Sequence, residues 1–214
     1  MKLLLAFTPA VLAGVIPGGV GLGEAPPPGQ YCSYAQVTIG NVTYGGTGCP
    51  QGTLSAQLNT DKTLVTIIFD AYIASIGPGV AVTEQRKNCQ LNIDIRYPGG
   101  FQYSVLSADY RGYASIQKGV TGTLKSTYYF SGQTDQSTTD YTFTGPVTGD
   151  YLKHDTADSV STVWSPCGTQ GLLNINSQVR LSSTESKATG LLTTDSTDLK
   201  FTQVAYVQWQ KCQK

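Results

Sequence analysis

The chain holds one histidine, His154, and five cysteines, Cys32, Cys49, Cys89, Cys167 and Cys212. A zinc site of the common kind needs several Cys or His ligands close in sequence, and no two cysteines stand in C-x-x-C spacing. No metal and no cofactor is expected on that ground. A copper oxygenase built on a histidine brace needs two histidines and is excluded. A Ser-His-Asp hydrolase would have to use His154, but no G-x-S-x-G elbow nominates a serine. Set among polar residues in GDYLKHD, His154 reads as a surface histidine on a loop. A glycoside hydrolase needs only two carboxyl groups at a suitable separation, and Asp70, Asp94, Asp109, Asp150 and Asp155 are all available for that chemistry. The aspartates of 135–140 and 195–198 lack the spacing of a calcium loop and read as turn formers.

Two of those aspartates lie in NCQLNIDIRYPGGFQYSVLSADYRGYASI, residues 88–116, whose side-chain alternation is the strongest pattern in the chain. Cys89, Leu91, Ile93, Ile95 and Tyr97 alternate with Asn88, Gln90, Asn92, Asp94 and Arg96, the period of a strand with one buried face. Pro98-Gly99-Gly100 predicts a chain reversal, so the segment reads as a hairpin. In the second arm the apolar phase slips after Phe101, Tyr103 and Val105 and resumes on Leu106, Ala108, Tyr110, Ala114 and Ile116. A one-residue bulge near Val105-Leu106 accounts for the slip. Pairing Tyr97 with Phe101 then gathers Asp94, Arg96, Asp109 and Arg111 on the polar face. With Tyr113 they form the candidate binding surface.

Composition sets the class. Charged residues are 13% of 214 and the formal net charge is zero, so the basic patch that a nucleic-acid partner requires is not expected. Thirteen tyrosines with many Ser, Thr and Gly fit a β-rich extracellular protein. Residues 1–19 read as a secretory signal, with Lys2 ahead of an apolar run too short to span a membrane. Residues 20–35, rich in Gly and Pro, read as a disordered leader, and residues 36–214 as a single domain. In an oxidising compartment five cysteines predict two disulfides and one leftover thiol, with the connectivity open. The ends of the domain would be tied together if Cys212 bridged to Cys167. Asn41-Val42-Thr43 is a glycosylation sequon and predicts a surface turn.

Further strands are expected over residues 36–44, 54–58, 64–69, 120–130, 141–143, 160–164, 173–181 and 201–209. Residues 71–82 read as strand then loop. LVTIIF at 64–69 is apolar on both faces except Thr66 and reads as a central strand. No window carries a persuasive helical period. Many short strands separated by Gly, Pro, Asn and Asp imply an all-β antiparallel sandwich of jelly-roll kind, stapled by disulfides.

A set of motifs in order, GCPQG at 48–52, KNCQL at 87–91, YPGGF at 97–101, DYRGY at 109–113, YFSG at 129–132, WSPCG at 164–168, LNIN at 173–176 and WQKC at 209–212, resembles the small secreted, mostly fungal family named domain of unknown function 4360. The resemblance spans residues 37–212. It implies secretion, a β-sandwich and four family cysteines, with Cys49 paired to Cys89 and Cys167 to Cys212, leaving Cys32 unpaired. It brings no established activity.

The function expected from all this is non-catalytic binding of cell-wall polysaccharide or a cell-surface protein outside the cell. Abundant tyrosines suit stacking on sugar rings, with Tyr113, Tyr128, Tyr151 and Tyr206 as the exposed candidates and Tyr97, Tyr103 and Tyr110 as core. Trp164 and Trp209 read as core. The alternatives are a carbohydrate-active enzyme using an Asp pair and a secreted effector acting on a host protein.

Overall fold

A computed structural model of the chain describes residues 36–156, 163–193 and 201–212. The expected signal, leader and Cys32 lie outside the described residues. Eleven strands are described: β1 (Thr38–Gly45), β2 (Leu54–Leu58), β3 (Leu64–Phe69), β4 (Ala74–Ile76), β5 (Arg86–Ile116), β6 (Val120–Phe130), β7 (Gln136–Thr144), β8 (Val147–Thr156), β9 (Gly168–Ser183), β10 (Gly190–Thr193) and β11 (Phe201–Lys211). All their pairings are antiparallel.

The hairpin expected at residues 88–116 is one long strand, β5, whose halves pair with different neighbours and not with each other. Arg86–Arg96 runs between β1 and β9, whereas Phe101–Ile116 runs between β8 on one side and β10 and β11 on the other. A tight two-residue reversal of the commonest type wants φ > 0 at both central residues. Of Gly99 and Gly100 only Gly100 takes it, at 81°. The chain therefore bends and crosses from one layer to another without turning back.

Each half carries the alternation its sequence shows. Cys89, Leu91, Ile93, Ile95 and Tyr97 point inward and are buried, as are Tyr103, Val105, Ala108, Tyr110, Ala114 and Ile116. The bulge falls where the phase slips, because Val207 faces Val105 and Tyr206 faces Ser107, leaving Leu106 as the extra residue. Leu106 itself points to solvent, against the inward placement its apolarity suggested. The extra residue restores the inward face for Ala108 and Tyr110.

The crossing makes a sandwich. Layer 1 has the order β1, first half of β5, β9, β6, β7; layer 2 has β2, β3, β11, second half of β5, β8, with β4 and β10 extending β3 and β11. Inward side chains meet between the layers. The Tyr103 ring stands edge-on to Phe130 of β6 at 5.0 Å, and Phe143 of β7 packs on Tyr151 of β8 at 4.8 Å. Gln203 Nε2 of β11 donates to Tyr128 OH of β6 at 2.6 Å, and Thr139 Oγ1 of β7 bonds the hydroxyls of Tyr110 at 2.6 Å and Tyr128 at 3.2 Å. These phenols need such partners, since an unpaired buried hydroxyl costs about 1–3 kcal/mol.

Both pairings implied by the family resemblance are present, Cys49–Cys89 and Cys167–Cys212. The second clamps the corner. Phe101, just past the bend, pairs with Gly168 at the start of β9 and with Lys211 at the end of β11, so the bridge joins the two layers where β5 passes between them. Cys212 N–H donates to Gly100 O at 2.9 Å at the same point.

Other differences follow from neighbours that the sequence does not declare. Residues 147–156 form β8, so His154 stands on a strand and not in a loop. Short β10 carries too few residues to show a period. Val163 and Trp164 lie in irregular chain, and the rest of the strand expected at 160–164 is outside the described residues. Tyr128 and Tyr151 are buried, whereas Trp209 is half-buried against Tyr97 and Tyr103, its Nε1–H donating to Lys62 O at 2.9 Å. Asn41 is exposed, but it sits in an irregularity of β1 between Ile39 and Val42 and not in a turn.

Candidate functional site

The outward residues of β5 divide between the two outer faces of the sandwich. Asp94 and Arg96 belong to layer 1, and Asp109, Arg111 and Tyr113 to layer 2. The four charges expected as one quartet are thus two pairs pointing in opposite directions, because the hairpin that would have joined them is a crossing strand.

Asp94 is a structural carboxylate. It accepts from Gln170 Nε2 at 2.8 Å and from Arg96 Nε at 3.3 Å, and only 10% of its side chain is exposed, against 63% for Arg96. Gly40, in the irregular stretch of β1, lies so close that a Cβ there would stand 2.5 Å from the carboxylate. Asp94 therefore ties β9 to β5, packs closely against Gly40 of β1 and offers little to a ligand.

Beside it the outer face of layer 1 carries rows of side-chain amides. Register pairs Asn92 with Asn174, Gln90 with Asn176, and Asn88 with Gln178. Beyond β9, Thr127 of β6 faces Asn176 and Thr138 of β7, and the two threonine hydroxyls are 3.3 Å apart. Several amides are held in place: Asn92 Nδ2 donates to Thr43 Oγ1 at 3.2 Å, Asn176 Nδ2 to Gln90 Oε1 at 3.1 Å, and Asn174 Nδ2 to Ser131 Oγ at 3.0 Å. With the amide nitrogens so engaged, the carbonyl oxygens of Asn92 and Asn176 are preset as acceptors on an exposed surface. Tyr129, half-exposed on β6 opposite Asn174, adds a ring with an apolar body. The signal was present in the sequence: these amides are the polar members of the alternation in 88–96 and in 173–181.

Layer 2 builds a compact constellation around Asp109. His154, its cross-strand partner on β8, donates from Nδ1 to Asp109 Oδ1 at 2.5 Å, and Tyr206 OH of β11 donates to Oδ2 at 2.6 Å. The His154 and Tyr206 rings stand edge to face with centroids 5.7 Å apart. Donation to Asp109 holds the Tyr206 phenol above its ordinary range, with burial and the carboxylate charge adding to the shift. The phenol is a persistent donor, and Asp109 is fixed from two sides. Arg111 and Tyr113 follow on the same outward face, Arg111 opposite Leu152 and Tyr113 opposite Asp150. Leu152 is 68% exposed. Tyr206 faces Ser107 in register, so six strand residues, about 20 Å, separate it from Tyr113 and no continuous tyrosine row forms.

The Asp94 and Asp109 carboxylates leave the sandwich from layers about 10 Å apart and point away from each other. Carboxyl groups that share a glycosidic bond stand about 5–9.5 Å apart on either side of it. These two cannot flank one bond.

A family model described as "Domain of unknown function (DUF4360)" matches residues 35–212. The chain belongs to that family. It is 58% identical over 197 residues to an "Uncharacterized secreted protein" of the fungus Arthroderma benhamiae (strain ATCC MYA-4681 / CBS 112371), covering 92% of this chain and 78% of the relative. Like that relative, this DUF4360 member is a secreted protein, and among the described residues no helix is long and apolar enough to cross a membrane. Among solved structures it is similar to TmCBM61, determined in complex with β-1,4-galactotriose, at 10% identity and a TM-score of 0.26 over 80% of this chain and 88% of the other. At that TM-score the likeness carries no weight for fold or ligand.

Proposed function

We propose that this secreted DUF4360 protein is a non-catalytic binder of cell-wall polysaccharide and that the outer face of layer 1 is its binding surface. The observation that carries the reading is the set of cross-strand amide rows, Asn88 with Gln178 and Gln90 with Asn176, continued by Asn92, whose own partner Asn174 is buried beneath the surface. A side-chain amide is both donor and acceptor, as is each hydroxyl of a sugar. Rows repeated along an open strand face suit a polymer lying across them better than a small molecule enclosed in a pocket. Tyr129 supplies the apolar surface on which a ring can stack. A second reading places the ligand on layer 2, where Asp109 holds Tyr206 and His154 beside Arg111 and Tyr113; the exposed Leu152 favours it.

The test is retention of purified protein on insoluble chitin, β-glucan, cellulose and pectin, with reducing ends measured in the same tubes. Retention without release supports a binder. Release of reducing ends that disappears in Asp109→Asn would replace it with an enzyme.

A further inference from the structure

The amide rows of layer 1 end in two arginines. Register makes Arg86 and Arg180 direct cross-strand partners on the outer face, and both are exposed. Side chains so paired have Cβ atoms about 4.5–5.5 Å apart, and like charges placed there destabilise the sheet. The acid nearest in sequence to Arg86, Glu84, is engaged by Lys87 at 2.8 Å. Among the described residues no carboxylate oxygen lies within 4.0 Å of either guanidinium. The pair lines a cleft of about 550 Å³ whose walls also include Ile76, Val82 (77% exposed), Ser182 and one carboxylate, Glu185. That volume lies in the range of about 300–1,000 Å³ usual for small-ligand sites. The cleft thus combines two cationic forks, hydroxyls and an apolar wall, with more positive than negative charge.

We propose that this cleft takes the carboxylate of a uronic-acid residue in an acidic polysaccharide, whose chain continues along the amide rows. Guanidinium matches carboxylate in a planar two-bond geometry that a lysine ammonium does not reproduce. Ile76 and Val82 face the C–H surface of the sugar ring, and Ser182 reaches its hydroxyls. A carboxylate between Arg86 and Arg180 offsets the repulsion between the two guanidinium groups. From Arg86 to Asn92 is six residues of strand, about 20 Å, enough for several linked rings. This inference rests on the layer 1 reading and adds its ligand class.

The experiment compares wild type with Arg180→Gln, Arg180→Lys and Arg86→Gln on three immobilised polymers: polygalacturonate, its fully methyl-esterified form and neutral β-glucan. Wild type is expected to bind polygalacturonate at least tenfold more tightly than the ester, Gln at either position to abolish the preference, and Lys at 180 to keep part of it. Without ligand, Arg180→Gln is expected to unfold at the same or a higher temperature than wild type, which separates lost recognition from lost folding. Polygalacturonate should raise the midpoint of wild type and leave that of Arg180→Gln unchanged. Equal binding of free and esterified polymer by wild type overturns the inference, as does a preference that survives in both Gln variants. Inorganic sulfate binding as tightly as polygalacturonate also overturns it, reducing the cleft to a general anion site. If neutral glucan is retained while no uronate preference exists, the cleft assignment fails and the layer 1 reading stands; if no polymer is retained, both fail.

Discussion

Removing the corner clamp by Cys167→Ser with Cys212→Ser is expected to lower stability by about 4 kcal/mol. The bridge closes a loop of sequence separation 45, and the chain-entropy relation for a loop of that size gives about 4 kcal/mol at 25 °C. For a domain of this size each kcal/mol shifts the unfolding midpoint by about 2–4 °C, so the double variant should melt roughly 8–16 °C lower. Cys49–Cys89 closes a loop of nearly the same size, separation 40, but both its cysteines are buried, whereas Cys167 is exposed. Mild reductant should therefore open Cys167–Cys212 first. The assays are thermal unfolding followed by far-ultraviolet circular dichroism, and alkylation under a reductant series with the labelled cysteines mapped by mass. A midpoint within about 2 °C of wild type would refute the placement of this bridge as the restraint holding the two layers at the β5 crossing. So would labelling of Cys49 and Cys89 ahead of the other pair.

Thr139→Val removes the hydroxyl shared by Tyr110 and Tyr128 inside the sandwich and should cost about 1–3 kcal/mol in urea unfolding. Gln203→Met, which removes a buried amide oxygen that has no partner while Tyr128 keeps Thr139, should stay within about 1 kcal/mol of wild type. Gly48→Ala would drive a methyl into the buried Tyr72 ring, and a loss of about 1–3 kcal/mol or more is expected in the same assay. Burial raises the phenols of Tyr97, Tyr103, Tyr110, Tyr128 and Tyr151 above their ordinary value. Above about pH 10 the unfolded chain releases phenolic protons that the folded one keeps. Stability should be full below that pH and fall as pH rises through the folded values, with tyrosinate absorbance appearing together with loss of circular dichroism. Phenols that ionise at their ordinary pH without unfolding would contradict the buried assignment.

Much of the architecture was legible because a strand with one buried face writes its orientation in every second residue. The inward sets of β5 and β9, the bulge at Leu106 and the class of sandwich all come from that alternation, whereas Tyr128 of β6, expected at the surface, is buried. Partner choice is not written there. Tyr97-Pro98-Gly99-Gly100 has the composition of a reversal, and only the backbone angles show that it bends a continuous strand. The pairing of β5 with β9 and β11 instead of itself moved Asp94 and Arg96 away from Asp109 and Arg111. His154 was obscured for a related reason: β8 is an edge strand whose outward residues, Thr148, Asp150, Leu152 and His154, dilute the apolar signal of Tyr151. The amides of layer 1 were visible as polar alternation in two separate segments, but their union into rows depends on the β5–β9 register, which no local pattern specifies.

The most direct measurement is titration of one soluble oligosaccharide, chosen from the polymer that retains the protein, against variants of the two faces. Asn92→Ala with Asn176→Ala removes two side-chain hydrogen-bonding groups, about 2 kcal/mol together or about thirtyfold in affinity. A binding surface on layer 1 requires that loss and requires Tyr206→Phe and His154→Ala on layer 2 to bind as wild type does. Unchanged affinity in the double asparagine variant, with binding lost in Tyr206→Phe or His154→Ala, would contradict it and move the ligand to the opposite face.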